Sequence, residues 1–249
     1  MKAILSGCSA TNLNIMTEKQ QRIGLFGGTF DPIHIGHLFL AEAARDKFSL
    51  ERVLFLPNPA PYHRAKSRIT PLEDRVNMTK LAIEDNEYFE FSDFEIRLPG
   101  DSYTSKTLEY FHEKYPDAKL FFIMGGDSLF SIEYWKEPEK IFSLAAILSG
   151  KREGQQHGAS GILHPDNSAE DTDILLWEDK DENALDIRID KKIKDLKDRF
   201  GAEIYNLYFP NIEISSSDIK ARVRDGRSIK YCTPDKVAQY IYKKGLYTQ

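Results

Sequence analysis

The sequence has few of the residues on which cross-linked or membrane-bound proteins depend. It holds two cysteines, Cys8 and Cys232, in 249 residues, too few for a disulfide framework or a four-cysteine zinc site. A reducing cytoplasm is therefore the expected compartment. An apolar run of about 20 residues, the length that spans a bilayer, is missing, and the apolar stretch after Met1 is too short for a secretion signal. These absences predict no membrane partner.

The chain also lacks a strong basic surplus. Its net charge is -5, and residues 153–186 carry ten acidic residues against one lysine, which leaves the rest of the chain at about +4. A mildly basic body suits small anionic ligands, but it is too weakly charged for nucleic acid, which needs a basic stripe. We therefore expect no nucleic-acid partner.

Short apolar runs alternate with stretches of helical spacing from Arg22 onwards. Near-continuous apolar strands in this alternation favour a parallel sheet. The pattern predicts an α/β fold, a Rossmann-like parallel sheet with helices on both faces and a small C-terminal helical extension. The predicted strands are residues 22–28, 52–57, 89–97, 119–126, 144–150 and 202–209.

The predicted helices follow local start and stop signals. Thr70 and Thr233 are predicted N-caps, each followed by a proline at the first helical position, and Gly245 is predicted to end the last helix. We expect one domain over residues 22–249 after an N-terminal extension, residues 1–21, with Met16 as an alternative start. The acidic stretch at about 153–186 reads as a solvated insertion.

Two glycines, Gly27 and Gly28, stand between the first strand and the first helix. In α/β proteins ligands bind at this position, and missing side chains let a phosphate approach the backbone amides. The segment matches neither GxGxxG nor a P-loop, which disfavours NAD-type and P-loop chemistry. Taken alone, the two glycines are equally consistent with a simple turn that binds no ligand.

Two histidines, His34 and His37, follow where the loop enters the helix. Their three-residue spacing places both imidazoles on one side, and Gly36 leaves room between them, so both could donate to the same phosphates. A zinc site would need further ligands at suitable spacing, and HExxH is absent.

Two other polar stretches could face phosphates. The segment 214–220, "ISSSDIK", opens a helix with three hydroxyl groups and then offers the charge of Lys220 to a triphosphate. A well-capped surface helix is the alternative. The basic loop 61–68, with His63, Arg64 and Lys66, could close over the phosphates, or it could simply be solvated.

The stretch "GGTFDPIHIGH", residues 27–37, resembles the motif of the HxGH nucleotidyltransferase superfamily. Further stretches, among them "EDRVNMTKLAI", "SYTSKTL", "FFIMGGDSL", "EISSSDIK" and "PDKVAQYIYKKGLY", are similar to bacterial nicotinate-nucleotide adenylyltransferases. The resemblance covers about residues 22–152 and 188–247, in the family's order.

The resemblance implies adenylyl transfer from ATP to nicotinate mononucleotide, with deamido-NAD and pyrophosphate as products and Mg²⁺ accompanying ATP. The attacking phosphate oxygen is already ionised, so positioning and charge stabilisation can suffice for catalysis. The resemblance implies catalytic roles for His34, His37 and Lys220. A homo-oligomer remains open.

The resemblance also implies two sets of binding residues. For ATP these are Gly27, Gly28, Thr29, Phe30, His34, His37, Gly125, Asp127, Ser215, Ser216, Ser217 and Lys220. For nicotinate mononucleotide they are His63, Arg64, Lys66, Tyr103, Thr104, Trp135 and Arg152. Ser217 and Lys220 depart from the family's usual threonine and arginine, and lysine cannot form arginine's bidentate fork.

Three alternatives remain beside this interpretation. Residues 34–37 spell HIGH, as in class I aminoacyl-tRNA synthetases, but KMSKS and a tRNA-binding domain are missing. A related HxGH transferase would use nicotinamide mononucleotide or phosphopantetheine as its acceptor. A non-catalytic adenine-nucleotide sensor would bind ATP without turnover.

Overall fold

A six-stranded sheet forms the centre of the protein. The computed structural model describes residues 20–59, 69–152, 182–209, 212 and 214–248. Neighbouring strands pair in parallel in the order β3-β2-β1-β4-β5-β6, which confirms the predicted parallel α/β fold. The strands are β1 (Arg22–Gly28), β2 (Arg52–Pro57), β3 (Phe89–Phe91), β4 (Lys119–Gly125), β5 (Ala146–Arg152) and β6 (Ile204–Phe209).

Helices cover both faces of the sheet, as predicted. They are α1 (Ile35–Phe48), α2 (Leu72–Ile83), α3 (Phe94–Arg97), α4 (Thr104–Lys114), α5 (Gly126–Leu129), α6 (Pro138–Leu144), α7 (Glu182–Phe200), α8 (Ser216–Arg224) and α9 (Asp235–Lys244), with a 3-10 helix at Ile132–Tyr134. Helices α1, α2, α8 and α9 pack on one face, and α4, α6 and α7 pack on the other. None of the described helices has the length and apolar composition that a bilayer span requires.

The strand order places a crevice at the end of β1. The chain leaves β1 toward β2 and β3 and then returns to the other side of β1 to form β4. Such a reversal separates the connections on the two sides, and α/β proteins bind ligands at the carboxyl ends of the strands there. Gly28 and Gly125, the last residues of β1 and β4, therefore border this crevice.

Several local predictions were wrong. Only Phe89–Phe91 of the expected strand 89–97 is extended, because α3 follows it. Helix α2 has Pro71 at its N-cap, and α9 has Pro234 there, with no side-chain cap in either case. The hydroxyl of Thr233 instead donates to the carbonyl of Ile33 (2.8 Å). Gly245 ends α9 with a φ of 61°, as expected.

The predicted range of the acidic insertion, residues 153–186, is too long at its C-terminal end. Helix α7 already begins at Glu182, so the reading as a solvated loop is wrong for residues 182–186. Residues 153–181 lie outside the described part of the chain, and so does most of the N-terminal extension.

Arg75 ties the loops at this edge of the sheet together. Its side chain is 1% exposed, and its guanidinium donates to the carbonyls of Thr29 (2.8 Å), Asn58 (2.7 Å), Pro59 (3.1 Å) and Thr70 (3.1 Å). These carbonyls follow β1, follow β2 and precede α2. Burial lowers the pKa of Arg75, and the nearby charge of Asp31 opposes the shift.

We predict that Arg75→Met lowers the free energy of unfolding by about 3 kcal/mol, since it leaves buried carbonyl oxygens without donors. Urea unfolding of the purified variant measures this. Arg97→Met is the matched control, because the Arg97 side chain forms an exposed pair with Asp93, and it should change stability by less than about 0.5 kcal/mol. Equal effects of the two substitutions would contradict the role given to Arg75.

Candidate active site

The two histidines of the motif lie against each other. His34 is the N-cap of α1, His37 lies in its first turn, and their ring centroids are 3.7 Å apart. The backbone N–H of His34 donates to Nδ1 of His37 (3.2 Å). Because Nδ1 is the acceptor, the proton of a neutral His37 ring resides on Nε2, which is then a hydrogen-bond donor.

Gly36 provides the space for this pair, as predicted. A Cβ atom at Gly36 would lie 3.1 Å from Cε1 and from Nδ1 of His34. Gly28 has a different reason to be glycine, because a Cβ there would lie 2.8 Å from the ring of Phe30. At Gly27 a Cβ would make only an ordinary contact, 3.7 Å, with the ring of Phe122.

Phe30 packs its ring against the histidine pair at His37. Its ring is buried and packs edge-on against His37, with centroids 5.3 Å apart, and against Phe26. Its φ of 47° is unusual for a residue with a side chain, and such a conformation persists only where packing imposes it. Phe30 was expected to contact ATP, but its buried ring leaves the backbone as the part that could do so.

Asp31 is a residue of this site that the sequence analysis did not single out. Its carboxylate is 1% exposed and accepts hydrogen bonds from Lys220, from the hydroxyl of Tyr247 (2.9 Å) and from the backbone of Thr70 (3.4 Å). Burial acts to raise the pKa of Asp31, but these donors and the charge of Lys220 outweigh it, so the pKa is lowered. The carboxylate is therefore ionised at neutral pH.

Helix α8 brings the hydroxyl segment to the same loop. The side chain of Ser215 accepts from the backbone of Asp218 (3.0 Å) as an N-cap, and the hydroxyl of Ser216 donates to the carbonyl of Pro32 (2.9 Å). Ser217 is exposed in the first turn. Lys220 follows one turn later and pairs with Asp31. The predicted histidine and hydroxyl–lysine segments are thus brought together.

The end of β4 forms the neighbouring wall of the crevice. Gly125 is exposed, and no atom lies within 4 Å of the position that a Cβ would take there. A Cβ at Gly126 would lie 2.7 Å from the carbonyl oxygen of Gly150, so the close approach of β5 requires a glycine. Asp127 is exposed in the first turn of α5.

The residues expected at the pyridine ring lie on the other face of the sheet. Tyr103 precedes α4 and Thr104 begins it. The hydroxyl of Ser105 donates to Glu137 (3.1 Å), which links the start of α4 to the segment that follows Trp135. The indole packs edge-on against Phe122, with centroids 6.2 Å apart, and Phe122 is the ring that faces Gly27.

Four predicted side chains cannot be placed. His63, Arg64 and Lys66 lie outside the described residues. Arg152 ends β5, but its side chain is outside the described part of the chain as well. Their roles stay predictions.

Comparison with known proteins identifies the family. The cytidylyltransferase-like family model matches residues 25–222. A protein of Lachnoclostridium phytofermentans named "probable nicotinate-nucleotide adenylyltransferase" is 37% identical over 91% of this chain and 99% of its own length. One of the same name from Desulfitobacterium hafniense is also 37% identical, over 91% of this chain and 96% of its own length. The chain belongs to the nicotinate-nucleotide adenylyltransferase family.

Solved structures agree with the fold of this nucleotidyltransferase. The nicotinic acid mononucleotide adenylyltransferase of Plasmodium falciparum, complexed with NaAD, superposes with a TM-score of 0.64 at 20% identity, over 91% of this chain and 97% of the other. The same enzyme complexed with APC gives a TM-score of 0.62. At this identity the likeness shows the fold alone.

A buried carboxylate lies behind the start of α4 in this adenylyltransferase. Glu95 is 5% exposed and accepts from the hydroxyl of Thr107 (2.9 Å). That hydroxyl also lies 3.4 Å from the carbonyl of Tyr103, so Glu95 braces the entry to α4. Burial raises the pKa of Glu95, and the hydrogen bond from the hydroxyl of Thr107 partly offsets the rise.

We predict that Glu95→Gln stabilises the protein increasingly as pH rises. A carboxyl whose folded-state pKa is raised favours folding below its unfolded pKa, and this contribution is lost as pH rises through the folded pKa. Glutamine keeps the acceptor for Thr107 but does not titrate. Urea unfolding of both proteins between about pH 4 and 8 measures the difference. A difference that stays constant with pH would contradict this.

We predict that Gly36→Ala lowers kcat about tenfold, because its methyl group displaces the ring of His34 by a few tenths of an ångström from its working position. Alanine favours a helix over glycine, so the melting temperature should stay the same or rise. Steady-state kinetics and thermal unfolding of the same sample separate the two effects. Unchanged kcat would mean that the position of His34 is not critical.

Proposed function

We propose that this protein transfers AMP from ATP to nicotinate mononucleotide and releases pyrophosphate, forming deamido-NAD. The observation that carries the proposal is the paired imidazoles of His34 and His37 at the end of β1, with Lys220 held at the same loop. These are hydrogen-bond donors and a positive charge, which suit a phosphate-rich transition state. Membership of the adenylyltransferase family supports the same reaction.

The reaction is a direct displacement at the α-phosphorus of ATP. An oxygen of the mononucleotide phosphate forms the new P–O bond while the bond to the bridging α–β oxygen breaks, and pyrophosphate takes the electron pair. The nucleophile is already ionised, so no side chain has to accept its proton. Donors such as Nε2–H of His37 stabilise the charge that develops on the phosphate oxygens.

We treat Mg²⁺ as part of the substrate MgATP. Among the described residues, no group of three or more His, Cys, Asp or Glu side chains is placed to hold a metal ion. Mg²⁺ is commonly bound through substrate phosphates and water, with few protein ligands. The protein's part is then to hold the phosphates that carry the ion.

We infer that the first turn of α4 favours the acid form of the mononucleotide over the amide, although the carboxylates of Asp101 and Glu137 also lie near it. The first turn of α4 carries no acidic side chain, and it does carry Lys106, whose ammonium lies 5.3 Å from the ring centroid of Tyr103. A helix N-terminus and a nearby ammonium both favour a carboxylate. An amide gains less from either one.

The test is pyrophosphate release with MgATP and, in parallel, nicotinate mononucleotide, nicotinamide mononucleotide or phosphopantetheine. We expect turnover with the acid mononucleotide and a loss of about a hundredfold in His37→Ala, the effect of removing one donor to a developing charge. His112→Ala, on the exposed side of α4, should keep wild-type activity.

Each acceptor separates one alternative. Preference for phosphopantetheine or the amide would assign a related HxGH transferase. ATP binding without turnover of any acceptor would refute the proposal and favour a nucleotide sensor.

A further inference from the structure

The ammonium group of Lys220 contacts Asp31 and Tyr247, a residue near the C-terminus. Its ammonium pairs with Oδ2 of Asp31 and lies 5.0 Å from the ring centroid of Tyr247. The hydroxyl of Tyr247 donates to Oδ1 of the same carboxylate (2.9 Å). Asp31, Lys220 and Tyr247 therefore form one cluster, called here the Asp31 cluster.

We propose that Tyr247 is a positioning residue that fixes Lys220 for the triphosphate of ATP. This inference rests on the proposed function and adds the C-terminal segment to its site. Tyr247 acts on Lys220 in two ways: its ring lies against the ammonium, and its hydroxyl fixes the carboxylate that pairs with that ammonium.

Lysine needs this support more than arginine would. An ammonium on a flexible four-carbon stem has no rigid fork to orient it, whereas a guanidinium can hold a carboxylate through two parallel bonds. In the Asp31 cluster, the carboxylate and the aromatic ring restrict the ammonium from two sides. A positive charge near a tyrosine ring face is itself favourable.

Tyr247 is held in place by its own surroundings. Leu246 and Tyr247 pack against the core on the α1 face of the sheet, and the φ of 66° at Tyr247 is one that packing must impose on a residue with a side chain. Burial and the charge of Asp31 raise the pKa of Tyr247, so its hydroxyl keeps the proton that it donates. Tyr247 is thus held in a fixed position within the Asp31 cluster.

The chain offers a matched control. Tyr240 also donates its hydroxyl to a carboxylate, that of Asp74 (2.8 Å), but Asp74 lies in α2 and does not contact Lys220. Tyr247→Phe and Tyr240→Phe each remove one tyrosine–aspartate hydrogen bond, and Tyr240→Phe also removes the acceptor of the Asn77 amide. A merely structural role for Tyr247 would make the two variants alike in kinetics.

We expect Tyr247→Phe to raise KM for ATP about five- to tenfold, the loss typical of one hydrogen bond in such a network, with KM for nicotinate mononucleotide unchanged. Tyr240→Phe should leave both constants near wild type. In a Lys220→Gln background, Tyr247→Phe should change KM for ATP by less than about twofold, because its effect passes through Lys220. The glutamine amide can still donate to Asp31, and thermal unfolding of each variant checks that its fold is kept.

Equal kinetics for Tyr247→Phe and Tyr240→Phe would overturn the inference, and so would a Tyr247→Phe effect that persists in the Lys220→Gln background. Calorimetric titration of the same proteins with ATP separates this from a failure of the proposed function. Wild type that binds ATP without turnover refutes the reaction, and the Kd values for ATP then decide the role of Tyr247 by the same comparison.

Discussion

The loop between β1 and α1 has no regular structure of its own, so its backbone is held by groups from elsewhere in the chain. Arg75 donates to Thr29, Ser216 to Pro32 and Thr233 to Ile33. The N–H of Ile35 donates to the carbonyl of Cys232 (3.1 Å). These bonds fix the backbone of the segment that carries the histidines, and fixed groups are what catalysis by positioning requires.

This arrangement makes the site depend on the whole chain. The hydroxyl of Thr233 bonds a residue 200 positions earlier, and that of Ser216 a residue 184 positions earlier. Neither bond can form until the sheet has placed α8 and α9 beside α1. The C-terminal helices therefore do more than cover the sheet, because they complete the support of the loop between β1 and α1.

The features that could be predicted from the sequence are those that depend on local residue patterns. Apolar runs located the strands, and the spacing of His34, Gly36 and His37 predicted their shared side. The sequence could not predict the partners of Asp31, because a carboxylate that bonds Lys220 and Tyr247, 189 and 216 positions away, leaves no periodic trace. The same limit explains the error at Thr233. Its position before a proline is typical of a helix cap, but a distant carbonyl proved the better partner.

The paired glycines show how fold and site share one sequence feature. At the end of β1, Gly28 makes room for Phe30, and at the start of α5, Gly126 makes room for the backbone of Gly150. The first glycine of each pair, Gly27 or Gly125, has no neighbouring atom so close to the position of a Cβ. In each pair, then, packing requires one glycine, whereas the other has at most an ordinary contact, that of Gly27 with the ring of Phe122. Because β1 and β4 are adjacent, both glycine pairs lie at the same edge of the sheet, where the side chains that would fill it are missing.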